Sequence, residues 1–234
     1  DAAREAGADA IKTQCFDPET LTLDSDAPEF LVEWNGSKRK LIDLYRETAM
    51  PWDWHEYLFH YARQQGMRAF ASVFCKASVD HIAALNPCAL KIASLEITDL
   101  PLIEYAASKG LPLILSTGMA SKSEIDALDF LMHHEPGVTL LHCPPGYPAK
   151  PDVRGLFDVS RTWADDGFSD HSLSVTLPAV AVAHHAHVIE KHLCLDRKLG
   201  GADVAFSLEP HEFKTMVAAC REAKAAMEPQ FVPE

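Results

Sequence analysis

The segment VIEKHLCL, residues 188–195, combines a buried strand pattern with groups that can do chemistry. Glu190 and His192 are two residues apart, so they share one face of the predicted strand. The same pattern recurs in five other apolar runs, each of which carries polar residues towards its carboxyl end. These are Lys12 and Gln14; Lys91, Ser94 and Glu96; Ser116, Thr117 and Gly118; Tyr147; and Ser169 and His171. A shared site at one end of the strands would explain this recurrence.

Two kinds of chemistry fit this set. The first is anion binding, because lysine ammonium and serine hydroxyl groups suit a phosphate or carboxylate. The candidates for it are Lys12, Lys91, Ser94, Ser116 and Ser169. The second is binding of one borderline divalent metal ion by His171 and His192. Two histidine ligands would leave coordination positions open for a substrate and water, as Lewis-acid activation requires.

Each of these residues also has an ordinary structural explanation. A strand lysine can extend to solvent, a buried histidine can be a hydrogen-bonded core residue, and Ser116 can cap a helix. The case for a site therefore depends on the whole set, because several unpaired buried charges are costly without a ligand. Cys143 and Cys194 have no evident base partner in the sequence, which argues against a thiol nucleophile.

The elements that must position these groups alternate between strand and helix. Seven strands are predicted at 8–16, 68–74, 89–94, 112–118, 138–144, 167–172 and 187–193. Helices are predicted between them, including one around 152–163, and an extra loop on the catalytic rim is predicted for 17–51. This alternation favours parallel strands with right-handed crossovers. We expect a TIM (β/α)8 barrel that lacks its first strand, since the chain opens inside a helix.

A doubly wound open sheet is the alternative fold, although no glycine-rich nucleotide loop follows a strand. The composition, with 234 residues of which 47% are hydrophobic, suits one catalytic-barrel domain over 1–234. The formal charge of −13 argues against nucleic acid and anionic membranes as partners. Six cysteines without CxxC spacing suggest reduced thiols and a cytoplasmic location.

Several sequence blocks resemble one enzyme family. IKTQCF, ALKIASLEITDLPLIEYAASKGLPLILSTGMA, GFSDHS, VIEKHLCLDR and GGADVAFSLEPHEF are similar to the catalytic barrel of the sialic acid synthases. Members of that family condense phosphoenolpyruvate with an amino-sugar to form nine-carbon nonulosonic acids. Within the family, TLTLDSDAPEF, LYRETAMPWDWHEYLF and GGADVAFSLEP are most similar to pseudaminic acid synthases, whose sugar is a 2,4-diacetamido-2,4,6-trideoxy hexose.

The resemblance implies roles for individual residues. Those expected to bind phosphoenolpyruvate are Lys12, Lys91, Ser94, Ser116 and Ser169. His171 and His192 would bind Mn²⁺, with Mg²⁺ or Co²⁺ as alternatives. Those expected to face the sugar, water or the metal's surroundings are Gln14, Glu96, Tyr147, Glu190 and Asp203, of which Glu96, Glu190 and Asp203 are the catalytic candidates. Asp203 is implied by the resemblance alone.

The chain also departs from the family pattern. We expect the family's first strand and its C-terminal antifreeze-like domain, which completes the partner's sugar pocket in a homodimer, to be absent. Cys75 stands where an aspartate is common, and Pro145 where a serine or asparagine is usual. Two alternatives remain: a sialic or legionaminic acid synthase with the same chemistry on another amino-sugar, such as N-acetylmannosamine, and a non-catalytic truncated barrel that retains anion or metal binding.

Overall fold

The computed structural model describes residues 1–34, 36–131, 133–152 and 166–228. The helix predicted around 152–163 lies outside the described residues, apart from residue 152. Two sheets are present in the described part of the chain, one of seven strands and one of two.

The large sheet is parallel throughout and follows chain order. Its strands are β1 (Ala10–Cys15), β4 (Arg68–Val73), β5 (Leu90–Ile92), β6 (Leu113–Ser116), β7 (Val138–His142), β8 (Asp166–Asp170) and β9 (Val188–Lys191). All seven predicted strands are thereby confirmed. Because each strand pairs with the next one along the chain, the order never reverses, and the doubly wound alternative is wrong.

The sheet curls into a half-barrel. β1 and β9 are the two ends of the strand order, yet the side chains of Lys12 on β1 and Glu190 on β9 meet at 2.8 Å. The predicted α/β class and the barrel-like curvature are confirmed to this extent. The described strands do not test whether a further strand closes the ring, so that part stays a prediction.

Helices connect the strands and cover the outside of the curve. They are α1 (Ala2–Glu5), α2 (Pro18–Leu21), α3 (Leu41–Thr48), α4 (Asp53–Gln64), α5 (Lys76–Ala84), α6 (Leu100–Ala107), α7 (Lys122–Asp126), α8 (Leu177–Ala183) and α9 (Pro210–Met227). Side chains of Asp99 and Ser121 accept hydrogen bonds from the first-turn amides of α6 and α7, respectively, which fixes where these helices begin. Among the described helices, none has both the length and the apolar character needed to cross a membrane.

The segment 17–51 is more ordered than the loop that its sequence predicts. It contains α2, α3 and an antiparallel hairpin of β2 (Leu31–Trp34) and β3 (Ser37–Lys40). Ion pairs hold these short elements together: Lys40 contacts Asp24, and Arg46 contacts Glu19. The prediction missed them because each element is too short to show a clear hydrophobic period.

Candidate active site at the carboxyl ends of the strands

An ion pair joins the two ends of the curled sheet at the centre of the site. The Lys12 ammonium lies 2.8 Å from one oxygen of Glu190, and the Ser169 hydroxyl donates to the same oxygen at 2.9 Å. The other oxygen of Glu190 is buried and has no hydrogen-bond partner in the described residues. Burial alone would raise the pKa of Glu190, but Lys12 and Lys91 lower it well below the ordinary value. Glu190 is therefore an anion with one oxygen available to a ligand.

Lys91 lies at the bottom of the candidate anion site. Its side chain is 2% exposed, and its ammonium donates to Ser116 Oγ at 2.6 Å and to the Ile92 carbonyl at 2.7 Å. Burial lowers the pKa of Lys91 to about 8, and the Glu190 carboxylate limits that decrease. Lys91 therefore carries a positive charge at neutral pH in a place where water cannot fully solvate it. An entering anion would relieve that cost.

A close backbone approach positions Ser94 beside the candidate anion site. The Gly118 amide donates to Ser94 Oγ at 3.2 Å. A Cβ at Gly118 would lie 2.7 Å from the Cys143 carbonyl oxygen and 2.8 Å from Ser94 Oγ, so this position has room only for glycine. Thr117, next to it, donates its hydroxyl to the Leu141 carbonyl and so joins β6 to β7.

Glu96 follows Ser94 in a short 3-10 turn, Ser94–Glu96. One of its carboxylate oxygens is buried and has no hydrogen-bond partner in the described residues. Burial raises the pKa of Glu96, while Lys91 opposes that change. A carboxyl group with a raised pKa is suited to exchange a proton with water or a substrate.

His171 and His192 lie side by side with a ring-centroid distance of 5.1 Å. Burial lowers the pKa of His171 to about 4 and that of His192 to about 3, and Lys12 contributes in the same direction. Both rings are therefore neutral at physiological pH, the form that binds metals. The His192 Nδ1 atom lies 3.4 Å from Asp203 Oδ2.

Cys143 has a base partner, contrary to the expectation from sequence. Its sulfur lies 3.7 Å from His171 Nδ1. A tautomer with the proton on Nδ1 donates to this sulfur and leaves a lone pair on Nε2, which can bind a metal. The contact thus favours a role for Cys143 in orienting the imidazole.

Two aromatic side chains enclose the histidines. The ring of Tyr147 lies 4.5 Å from that of His171, and the buried ring of Phe206 lies 5.0 Å from Tyr147 and 4.9 Å from His192. Tyr147 is 64% exposed, so it forms the outer wall of the site. Phe206 was missed in the sequence because an apolar residue in a loop resembles any other core residue.

Gln14 also lies on β1, two residues beyond Lys12 and therefore on the same face of the strand. Its backbone carbonyl contacts the buried ring of His55 at 3.2 Å, which ties β1 to α4.

Cys75 caps α5 by accepting from the Ser78 amide, so its position is explained by helix capping. The structure thus places the predicted residues at or just beyond the carboxyl ends of the parallel strands, and this edge of the sheet is called the mouth below. The chemical roles of the individual residues stay predictions.

The residues present fit a divalent metal in part. In the described ranges, no group of three or more His, Cys, Asp or Glu side chains has the arrangement of a metal site. Two neutral imidazoles stand together, however, and the partnerless oxygen of Glu190 is buried in the same site. This donor set matches a borderline ion that keeps open positions for substrate and water.

The fold and the site together are those of a parallel barrel-like sheet with a buried lysine and a pair of histidines at the carboxyl ends of its strands. The chain belongs to the NeuB family, whose sequence profile matches residues 1–230. It is 37% identical to pseudaminic acid synthase of Campylobacter jejuni, over 97% of this chain and 68% of that protein. It is 35% identical to N,N'-diacetyllegionaminic acid synthase of Legionella pneumophila, over 97% of this chain and 67% of that protein.

A solved structure has the same fold. The N-acetylneuraminic acid synthetase of Leptospira borgpetersenii, crystallised with citrate, superposes with a TM-score of 0.86 at 28% identity. The match covers 100% of this chain and 79% of that one. The resemblance to nonulosonic acid synthases predicted from the sequence blocks is therefore confirmed at the level of the family.

Proposed function

We propose that this protein condenses phosphoenolpyruvate with a 2,4-diacetamido-2,4,6-trideoxy hexose, giving pseudaminic acid and phosphate in a metal-dependent reaction. One observation carries the proposal. The buried Lys91 and the two neutral histidines all interact electrostatically with the Lys12–Glu190 ion pair, so an anionic and a carbonyl substrate could meet there. The identity to pseudaminic acid synthases supports the choice of sugar.

The anionic substrate would occupy the Lys91 side of the mouth. Lys91 and Lys12 would contact phosphate and carboxylate oxygens, and the hydroxyls of Ser94, Ser116 and Ser169 would donate the remaining hydrogen bonds. The site has the right charge sign for this task because the positive group is already buried before substrate arrives. Such preorganised charge costs no rearrangement when negative charge accumulates during the reaction.

The sugar would occupy the histidine side. His171 and His192 would hold Mn²⁺, or Mg²⁺ or Co²⁺ in its place, with Gln14, Tyr147 and Asp203 around the sugar. A bound divalent ion would supply Lewis-acid polarisation of the open-chain aldehyde. Phe206 and Tyr147 would limit the access of water to this side.

The bond changes follow from these positions. The methylene carbon of phosphoenolpyruvate forms a bond to the aldehyde carbon, and the aldehyde oxygen gains a proton. Water then adds to the carbon that bears the phosphate ester, with Glu96 accepting the water proton. The hydroxyl group on that carbon then becomes a ketone as the C–O bond to the phosphate breaks, and its proton leaves with the inorganic phosphate, which departs towards Lys12 and Lys91.

The second candidate keeps this chemistry and changes the amino-sugar to a legionaminic or sialic acid precursor. It is favoured by the 35% identity to the Legionella enzyme, which is close to that of the pseudaminic acid synthases. A non-catalytic barrel that retains anion or metal binding is the third. We also propose that the protein is a homodimer located in the cytoplasm, and this rests on its resemblance to the family.

Phosphate release tests the proposal directly. The assay supplies phosphoenolpyruvate and Mn²⁺ with either the diacetamido-trideoxy altrose or N-acetylmannosamine, and the altrose should give the faster release. His171→Ala should abolish metal-dependent release and leave the circular dichroism spectrum unchanged, whereas His60→Ala on the exposed face of α4 should retain activity. If no phosphate is released with either sugar, and calorimetry detects no binding of phosphoenolpyruvate or Mn²⁺, the proposed enzymatic function is excluded.

A further inference from the structure

A second ion pair is formed by the two residues that precede the histidines in the chain, on the opposite face of the strands. Asp170 on β8 and Lys191 on β9 are register partners, and their charged atoms are 2.5 Å apart. Each side chain is 1% exposed. Asp170 immediately precedes His171 in the chain, and Lys191 immediately precedes His192. Because strand side chains alternate, the pair points away from the mouth while both imidazoles point into it.

The pair also holds the backbone of Ser172, the residue that follows His171. Asp170 Oδ1 accepts from the Ser172 amide at 2.8 Å. The Lys191 ammonium donates to the Ser172 carbonyl in a short hydrogen bond. The ion pair thus fixes both backbone polar groups of Ser172: Asp170 binds the amide and Lys191 binds the carbonyl. The backbone segment that carries His171 is therefore tied to the strand that carries His192.

Stability alone is a poor explanation for this arrangement. A buried ion pair gains little or nothing over well-packed apolar side chains of similar volume, because both charges lose their hydration. What apolar side chains could not provide is the pair of directed hydrogen bonds to Ser172. Those bonds set the position of one strand end relative to the other.

We propose that the Asp170–Lys191 ion pair is a positioning device that sets the separation of His171 and His192. The consequence for metal binding rests on the proposed function; the consequence for ring geometry does not. Asp170 and Lys191 touch neither substrate nor metal in this proposal. They act through the backbone at Ser172 and through the register of β8 with β9.

The test is the double variant Asp170→Asn/Lys191→Met, which removes both charges and nearly conserves both volumes. We expect its urea midpoint to stay close to that of the wild type, because neither charge is left buried alone. In its metal-free crystal structure, the distance between the ring centroids should depart from 5.1 Å by about 1 Å or more, or split into several arrangements. Its Mn²⁺ dissociation constant, measured by calorimetry, should rise roughly tenfold or more.

The matched control is Asp80→Asn/Lys109→Met. That ion pair has the same length, 2.5 Å, but is partly exposed and joins α5 to the end of α6. Its removal should change neither the ring distance nor the Mn²⁺ affinity. If wild-type protein binds no Mn²⁺, the metal part of the proposed function fails, and the ring distance still decides the inference.

An unchanged ring distance in the double variant overturns the inference, whatever the metal result. If the double variant does not fold, Lys191→Arg takes its place. It keeps the positive charge, but its planar guanidinium cannot donate to Asp170 and Ser172 from the same point. The ring distance in Lys191→Arg is then the deciding measurement, with the same two outcomes.

Discussion

Two ion pairs that involve β9 differ in what they leave unsatisfied. Lys12–Glu190 lies at the mouth, with side chains 20% and 13% exposed, and one Glu190 oxygen has no partner in the described residues. The Asp170–Lys191 pair lies on the opposite face of the strands, and each of its side chains is 1% exposed. Its remaining hydrogen bonds are made to the backbone of Ser172. The first pair can exchange partners with a ligand, whereas the second holds the frame. Glu190 and Lys191, neighbours on β9, thus serve binding on one face of the strand and geometry on the other.

Removing one cation from each pair gives the largest expected difference. Lys191→Met leaves the Asp170 carboxylate buried without a counter-charge and should cost about 3–5 kcal/mol of unfolding free energy. Lys12→Met should cost less than that, because the pair is 20% and 13% exposed and Glu190 keeps Lys91 and Ser169 nearby. Urea denaturation of both variants measures the difference. Equal losses would mean that the two pairs do not divide their roles in this way.

Lowering the pH should reduce the free energy of unfolding of the protein, because His171 and His192 are buried in their neutral form. The pKa values of His171 and His192 are about 4 and about 3 in the folded metal-free protein, below the unfolded value of about 6.5. As pH falls below about 6.5, the unfolded chain gains protons that the folded chain does not bind, so stability falls with pH until the folded pKa is reached. Between pH 6.5 and 5 the loss should be about 1.6 kcal/mol per histidine.

Urea midpoints across this pH range, in the presence of a metal chelator, measure that slope. His171→Asn/His192→Asn should flatten it, and His60→Asn on the exposed face of α4 should not. A wild-type midpoint that stays level from pH 6.5 to 5 would contradict the neutral buried pair.

Gly118→Ala should disturb the anion side of the mouth. The new methyl group would meet the Cys143 carbonyl at 2.7 Å, and we expect a loss of about 1–3 kcal/mol together with weaker phosphoenolpyruvate binding. Adding Ser94→Ala removes the hydroxyl contact but leaves the carbonyl contact, so the double variant should recover only part of the stability. Full recovery would show that the Ser94 contact alone restricts this position.

The sequence predicted the mouth better than it predicted what supports it. Strand alternation placed Lys12, Lys91, Ser169, Glu190 and His171 on inward faces, and one end of a parallel sheet collects such residues. Asp170 and Lys191 escaped notice because charged residues on the outward face of a strand normally suggest a solvated surface. Their burial depends on the packing around β8 and β9, which the local pattern does not encode.

The contact between Cys143 and His171 was missed for a related reason. The two residues are 28 positions apart, on loops that follow neighbouring strands, and no spacing rule links a single thiol to a distant imidazole. Phe206 likewise reaches the histidines from a loop beyond β9. Both required the curvature of the sheet to be known before they could be assigned to the site.

Cys143→Ala should have the smallest effect, because it removes a weak contact and leaves the Asp170–Lys191 ion pair intact. The sulfur lies 3.7 Å from His171 Nδ1, longer than most hydrogen bonds that orient ligating histidines. We expect Mn²⁺ affinity to fall by at most about tenfold, the low end of the effect of such partners. Calorimetry measures it against Cys220→Ala on α9, which should bind Mn²⁺ as the wild type does. A larger loss than in Asp170→Asn/Lys191→Met would mean that the ring contact, rather than the backbone clamp, sets the histidine geometry.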